Sequence, residues 1–145
     1  MNEHITIKRI TNSDGIPIPQ INSLLDKGKE WDIEQGRKFL ENLDNALFLA
    51  FWEEEAVGFL TAHRLQRFDK RKAEILLYEI GVNERFRQRG IGKVLIEAVK
   101  NWGKEVGADE VWVLTNKSNT SANALYQSAG GATENPDDIM YTFKL

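Results

Sequence analysis

The residues with the type and spacing to do chemistry gather in one stretch, Tyr78-Glu-Ile-Gly-Val-Asn-Glu-Arg-Phe-Arg-Gln-Arg-Gly-Ile-Gly-Lys-Val-Leu-Ile96. It reads as an apolar strand ending at Val82, then a basic glycine-containing loop, then the first turns of a helix. Such a passage leaves several backbone N–H groups unpaired at the helix start, all pointing one way. Together with the positive end of the helix dipole they suit an anion such as a pyrophosphate. Gly90 and Gly92 are expected to let the backbone approach that anion, because a Cβ at either would hold it off. Arg85, Arg87 and Arg89 add positive charge around the turn, and Lys93 follows into the helix. An ordinary strand-to-helix turn with a solvated basic rim would look similar. The stretch lacks both the Gly-Lys-Ser/Thr of a nucleoside-triphosphate loop and the Gly-x-Gly-x-x-Gly of a dinucleotide fold.

A loop of this kind needs a frame to hold it. Residues 5–9 alternate apolar and polar as a first strand, and Asn12-Ser13-Asp14-Gly15 with Pro17 and Pro19 makes a turn into a helix near 20–28. Asp32 can cap a second helix whose apolar side is Ile33, Phe39, Leu40 and Leu43. Residues 46–52 and 56–65 read as a hairpin around Glu53-Glu54-Glu55, and the charged run 66–72 leads to a strand over 73–82. Both charge runs read as solvated loops. Beyond the glycine loop, Ile91, Leu95, Val99, Trp102 and Val106 form a core stripe at helical spacing, and Gly107 ends that helix. A strand over 110–115 is reached by a crossover and should lie parallel to 73–82. A helix over 121–129 stops at Gly130-Gly131, Asn135-Pro136-Asp137-Asp138 is a turn, and residues 139–145 are expected to close the sheet. The fold class is α/β with a mixed sheet, in one domain over 1–145.

Arg87-x-x-Gly90-x-Gly92 after a strand ending at Val82 resembles the coenzyme A loop of the GNAT N-acetyltransferases. Asn119-Thr-Ser-Ala-Asn-Ala-Leu-Tyr126, followed by Gly130, is similar to the family's second motif, and the order of elements is also the family's. The resemblance spans almost the whole chain and is strongest over 74–130. It implies the GNAT fold, a mostly antiparallel sheet splayed between two parallel strands and flanked by helices, with acetyl-CoA as co-substrate. Ile80 and Val82 should then offer backbone groups to the pantetheine amides, with Gly81 allowing close approach. The pyrophosphate would rest on Arg87, Gln88, Arg89, Gly90, Ile91, Gly92 and Lys93, and Asn119 would join the cofactor site. Gly131 departs from the family, which often has an aromatic there.

Acetyl transfer to an amine needs a deprotonated amine, a polarised thioester carbonyl and a proton for the leaving thiolate. The resemblance makes Tyr126 the general acid, whereas the bare helix pattern would make it a core aromatic. Glu79, three residues before Val82, is the candidate base: a carboxylate in an otherwise apolar strand needs a reason, since burying it unpaired is costly. It is equally placed to bind a substrate cation. Tyr78 lines the acceptor pocket or packs, Glu74 is a weaker carboxylate near solvent, and His4 and His63 read as structural. No cluster has metal-ligand spacing.

Within the family, Arg67-Phe68 through Glu74, Tyr78-Glu79 and Val82 looks like the aminoglycoside 3-N-acetyltransferase branch. The expected reaction is direct attack, in a ternary complex, by a primary amine of a small aminoglycoside-like or polyamine acceptor. Carboxylates at 53–55, 79, 134, 137 and 138 would offer such a polycation a negative surface. A protein or peptide amine, or a non-catalytic acyl-CoA sensor, would use the same frame.

Composition excludes other classes. At 145 residues with 41% hydrophobic and 28% charged residues, the chain has the make-up of a globular protein large enough for a sizeable core. No apolar run approaches the roughly 18–20 residues that span a bilayer, and the first residues lack a signal pattern, so no membrane is expected and the cytoplasm is. Cysteine is absent, which removes disulfides and thiol nucleophiles. A net charge of −3 argues against nucleic acid as a partner. An exposed last strand would allow a homodimer.

Overall fold

Strand β2 (Asn45–Trp52) is apolar along its length because both of its faces are covered. The computed structural model describes residues 2–145, so Met1 of the expected 1–145 unit lies outside the described residues. Around β2 run β1 (Ile5–Ile10), β3 (Glu55–Leu65), β4 (Ala73–Val82) and β5 (Ala108–Trp112), in one five-stranded sheet of order β1-β2-β3-β4-β5. The first four pair antiparallel, and β5 joins β4 in parallel, as a crossover requires. Leu47 and Leu49 face helices α1 (Ile18–Leu24) and α2 (Ile33–Glu41), in a cluster with Ile21, Phe59, Phe39 and Leu40. Ala46, Phe48 and Ala50 face the other way and pack with Leu60, Ala62, Ile75 and Leu77 against α3 (Ile91–Glu105), with α4 (Thr120–Ser128) beside it. The result is a mixed α/β fold with helices on both faces.

Local chemistry sets the helix ends. Pro19 stands in the first turn of α1, where its missing N–H costs nothing, so the helix starts earlier than a reading that begins after the proline. It also stops at Leu24, short of 28, because Leu25 is already extended. Asp32 caps α2 by accepting from the Gln35 N–H at 2.8 Å. Phe39 and Leu40 of α2 reach the core, whereas Ile33 and Leu43, expected on the same side, are exposed. In α3 the stripe Ile91, Leu95, Val99 and Trp102 is buried, and Gly107 follows with φ 79°.

Two of the sheet's irregularities shape the site. Glu79 pairs with Thr61 but Leu77 pairs with Ala62, so Tyr78 is an extra residue in β4. Leu77 and Ile80 both pack on the α3 side, and the bulge turns Tyr78 and Glu79 between them toward the α1–α2 side. The second irregularity is a parting of strands. Pairing of β4 with β5 runs from Ala73↔Ala108 to Leu76↔Trp112 and stops there, while β4 continues to Val82 on β3 alone. The strand expected over 110–115 is correspondingly found at Ala108–Trp112.

The expected closing strand is not formed. Residues 139–145 carry no strand pairing, and Ile139, Met140, Tyr141, Phe143 and Leu145 are all exposed. Alternation of apolar residues states that a segment needs a sheet face; the chain leaving Gly131 through the Asn135–Asp138 turn does not bring this one to its own.

Candidate functional site

The glycine loop is built from a short turn and a helix start. Asn83 accepts from the Arg85 N–H at 3.0 Å, closing a 3-10 turn over Glu84–Phe86. Gln88 and Gly90 then take φ of 62° and 82°, a reversal that aims the backbone of the next turn outward. Gly90 is the N-cap of α3 and offers no side chain to it, and its carbonyl accepts from the Val94 N–H at 3.1 Å. The N–H groups of Ile91, Gly92 and Lys93 therefore point out of the helix start without a capping side chain. Gly90 has open space where a Cβ would stand.

The other glycines of the motif are explained by packing. A Cβ on Gly92 would lie 2.9 Å from both Leu125 methyls, so this position lets α4 rest on α3. A Cβ on Gly81 would lie 2.6 Å from Phe59 Cε1 and 3.2 Å from the Leu24 carbonyl oxygen, so its small size seats Phe59 and α1. Gly131 donates its N–H to the Tyr126 carbonyl at 2.9 Å, and a Cβ there would press on that same oxygen. That contact accounts for a glycine at this position.

The three loop arginines are placed differently. The Arg85 guanidinium pairs with Glu55 at 3.2 Å. Arg89 lies over Trp52 at 4.8 Å and Phe86 at 5.0 Å, and Trp52 is stacked in turn on His4. Arg87 makes no side-chain hydrogen bond or ion pair among the described residues and lines a cleft of about 480 Å³ with Val82, Asn83, Leu24, Leu25 and Lys27. The acidic run 53–55 is partly spent in these contacts, since Glu53 meets His4 at 3.3 Å. The basic run 66–72 is an exposed loop, as expected, and its charges pair with one another and with neighbouring carboxylates. Arg67 holds Glu74 at 2.5 Å and Asp69 at 2.8 Å, and Lys70 reaches Asp109 at 3.2 Å. The Arg67 hydrogen bond keeps the Glu74 carboxyl below the usual carboxylate range.

Across the sheet, Glu79 and Tyr78 meet a group that the sequence does not reveal. His63 on β3 packs edge-on against Tyr78 at 5.5 Å and Phe39 at 5.6 Å between ring centroids, and its Nδ1 is 2.8 Å from Asn45 Oδ1. Burial pushes the His63 imidazole below its ordinary value, against an opposing pull from the Glu79 charge. Beside them, Thr61 Oγ1 is buried without a hydrogen-bond partner on the strand that faces Glu79. Phe39, His63, Tyr78 and Glu79 thus form a polar and aromatic cluster from α2, β3 and β4.

On the opposite side, Tyr126 of α4 is half-buried against the α3 core, and that burial alone raises its phenol. Asn119 caps the same helix: its Oδ1 accepts from the Ala122 N–H at 3.1 Å and from Ser121 Oγ at 3.2 Å. The structure therefore brings Ile80, Val82 and the loop from Arg87 to Lys93 along one freed edge, with Glu79 and Tyr78 facing α1–α2 and Tyr126 facing α3. Among the described residues no group of three His, Asp or Glu is placed to hold a metal, and no helix is long and apolar enough to cross a membrane.

The chain is similar to known proteins in sequence and in fold. N-acetyltransferase 8 of Homo sapiens is 30% identical over 94 residues, which is 65% of this chain and 41% of that protein, so the chain spans less than half of it. Aminoglycoside N(6′)-acetyltransferase type 1 of Salmonella typhimurium is 32% identical over 101 residues, 68% of this chain and 70% of that protein. The solved structure of AAC(6′)-Iy in complex with the bisubstrate analog CoA-S-monomethyl-acetylneamine superposes with a TM-score of 0.81 at 27% identity, covering 98% of this chain and 99% of that one. The aminoglycoside likeness read from the sequence is thus met by acetyltransferases of the 6′ position, where the motif had pointed to position 3. The profile of the Acetyltransferase (GNAT) family matches residues 18–131, and the chain belongs to that family.

Proposed function

We propose that this chain moves an acetyl group from acetyl-CoA to a primary amine of a small polycationic acceptor, of aminoglycoside or polyamine chemistry, by direct attack in a ternary complex. The observation that carries this reading is the end of β4–β5 pairing at Leu76↔Trp112, which frees a strand edge leading straight to the uncapped start of α3. Bound there, acetyl-CoA supplies an activated thioester carbonyl. The backbone of Ile80 and Val82 hydrogen-bonds its pantetheine amides, and the loop from Arg87 to Lys93, through Gln88, Arg89, Gly90, Ile91 and Gly92, holds its pyrophosphate on the free N–H groups at the start of α3 and on the Arg87 side chain. Arg87 adds the one loop guanidinium not engaged by another side chain among the described residues.

The acceptor amine meets the cluster of Phe39, His63, Tyr78 and Glu79. Glu79 draws the cation in and takes a proton from it, directly or through a water. Tyr126 gives its proton to the leaving thiolate, and burial keeps the phenol in the donor form at neutral pH. Asn119 acts through its cap, fixing the start of the helix that carries Tyr126. The acceptor class is supported by the likeness to aminoglycoside acetyltransferases and by the carboxylate at position 79.

Acetyl-CoA-dependent thiol release across aminoglycosides, polyamines, amino acids and short peptides tests the proposal. Turnover with an aminoglycoside or polyamine is expected. Turnover confined to peptides would reassign the acceptor, and tight acetyl-CoA binding without release from any amine would make the chain an acyl-CoA sensor.

A further inference from the structure

The acetyl-transfer steps give no task to His63, a titratable side chain of the acceptor cluster. Along β3, Leu60 and Ala62 pack toward α3 and Phe59 toward α1–α2, so by alternation Thr61 and His63 face α1–α2 as well. Glu79 pairs with Thr61 across the strands, and the bulge at Tyr78 sets it on that same face. The His63 ring is held edge-on by Phe39 and Tyr78, and its Nδ1 is bonded to Asn45 Oδ1. Asn45 uses its amide N–H on the Phe39 carbonyl, so its oxygen faces the ring and Nδ1 carries the proton. Nε2 is then a bare lone pair. It has no hydrogen-bond partner among the described residues, yet it is not sealed in. The buried side-chain atoms left unpartnered there are Thr61 Oγ1 and the indole nitrogens of Trp102 and Trp112.

We propose that His63 receives, on Nε2, the proton that Glu79 takes from the acceptor ammonium. The step rests on the acetyl-transfer reading and adds where its proton goes. An N–H bond of the ammonium breaks as a Glu79 O–H bond forms. That O–H bond breaks as an Nε2–H bond forms, through a bridging water. The products are a free amine, a carboxylate and an imidazolium, which returns the proton to solvent through the open Nε2. A free carboxylate, near 4.3, is a weak base for an ammonium, and an imidazole, near 6.5, is a stronger one. Electrostatics suit the transfer. Burial keeps the ring neutral and ready to accept, and the Glu79 charge favours the imidazolium once it forms. The other neighbours add little charge. Phe39 and Asn45 have none, Tyr78 brings a phenol, and Arg64 turns to the Val106 carbonyl. On α2, Arg37 and Lys38 pair with Glu34 and Glu41.

Two measurements test the proposal, one of them without turnover. Following the His63 ring protons by NMR, Glu79→Gln should move the titration to lower pH, because the charge that favours the imidazolium is gone. An unmoved titration would separate the two groups and overturn the proposal. The second measurement is the pH dependence of acetyl-CoA-dependent thiol release in the native chain and in His63→Gln, which keeps a donor for Asn45. Folding is checked by circular dichroism. The native chain should show an acidic limb at the His63 midpoint. His63→Gln should lose that limb and about 10²-fold of kcat, and added imidazole should restore part of the rate. A folded His63→Gln protein with the native rate and the native limb refutes the transfer while leaving the acetyl-transfer reading intact. A native chain that releases thiol with no amine removes both.

Discussion

His63 and Asn45 share a hydrogen bond of 2.8 Å whose direction is set by a third group. Asn45 Nδ2 donates to the Phe39 carbonyl at 3.1 Å, so Asn45 Oδ1 is the acceptor and His63 Nδ1 carries the proton. The neutral ring therefore keeps an acceptor lone pair on Nε2, close to Tyr78 and within the field of Glu79. Burial lowers the His63 value below the ordinary 6.5, so the unfolded chain binds this proton more readily than the folded one. Stability from this site is present above about pH 6.5 and is lost as pH falls through the folded value. His63→Gln keeps a donor for Asn45 but cannot titrate. Its melting temperature should fall less than the parent's between about pH 7.5 and about pH 5. Parallel curves for the two proteins would remove His63 as the titrating group.

Gly81 sits in the cofactor-edge strand, yet its nearest neighbours are Phe59 and the Leu24 carbonyl. Phe59 is 5% exposed and its ring cannot swing away from an added methyl. Gly81→Ala should cost about 1–3 kcal/mol of stability. Urea unfolding should show a lower midpoint with an unchanged slope. If the midpoint holds while acetyl-CoA binding weakens, the glycine serves ligand approach and the packing account fails.

These residues show where the sequence was readable. The loop from Arg87 to Lys93 and the stripe of α3 announced themselves because local spacing carries the information: unpaired N–H groups follow from helix geometry, and burial follows from period. Tertiary reasons did not show. Gly81 and Gly92 lie in the motif but answer to Phe59 and Leu125, from other elements. His63 was read as structural because Tyr78 is its neighbour only through the β3–β4 register and the bulge at that point. The tail over 139–145 was recognisable as a strand in composition, but composition does not say whether a sheet edge is there to receive it.

Arg87 and Arg89 flank the same turn and should behave unlike each other. Arg89 is held between Trp52 and Phe86, whereas Arg87 faces the cleft unengaged by another side chain. Arg87→Ala should weaken acetyl-CoA binding by about tenfold, ~1.4 kcal/mol, with the deficit shrinking as salt rises. Arg89→Ala should lower thermal stability more and binding less. Calorimetric titration of both variants at low and high salt decides the matter. Equal losses of affinity with the same salt dependence would mean that the stacked and the free guanidinium serve the ligand alike.

Tyr126 is the group whose chemistry is most exposed to a single measurement. Its phenol is raised by burial alone, so the donor form persists to higher pH than for a free tyrosine near 10. The same shift means that stability from this site is present below about pH 10 and is lost as pH rises through the folded value. Tyr126→Phe keeps the ring in the α3 core and removes only the proton, so folding should be retained. As a general acid Tyr126 should contribute about 10²–10⁴-fold to kcat, with KM for acetyl-CoA within about twofold of the parent. The alkaline limb of the parent's pH–rate profile should disappear in the variant's residual activity. Unchanged kcat in a folded Tyr126→Phe protein would return this residue to the core and leave the thiolate to take its proton from water.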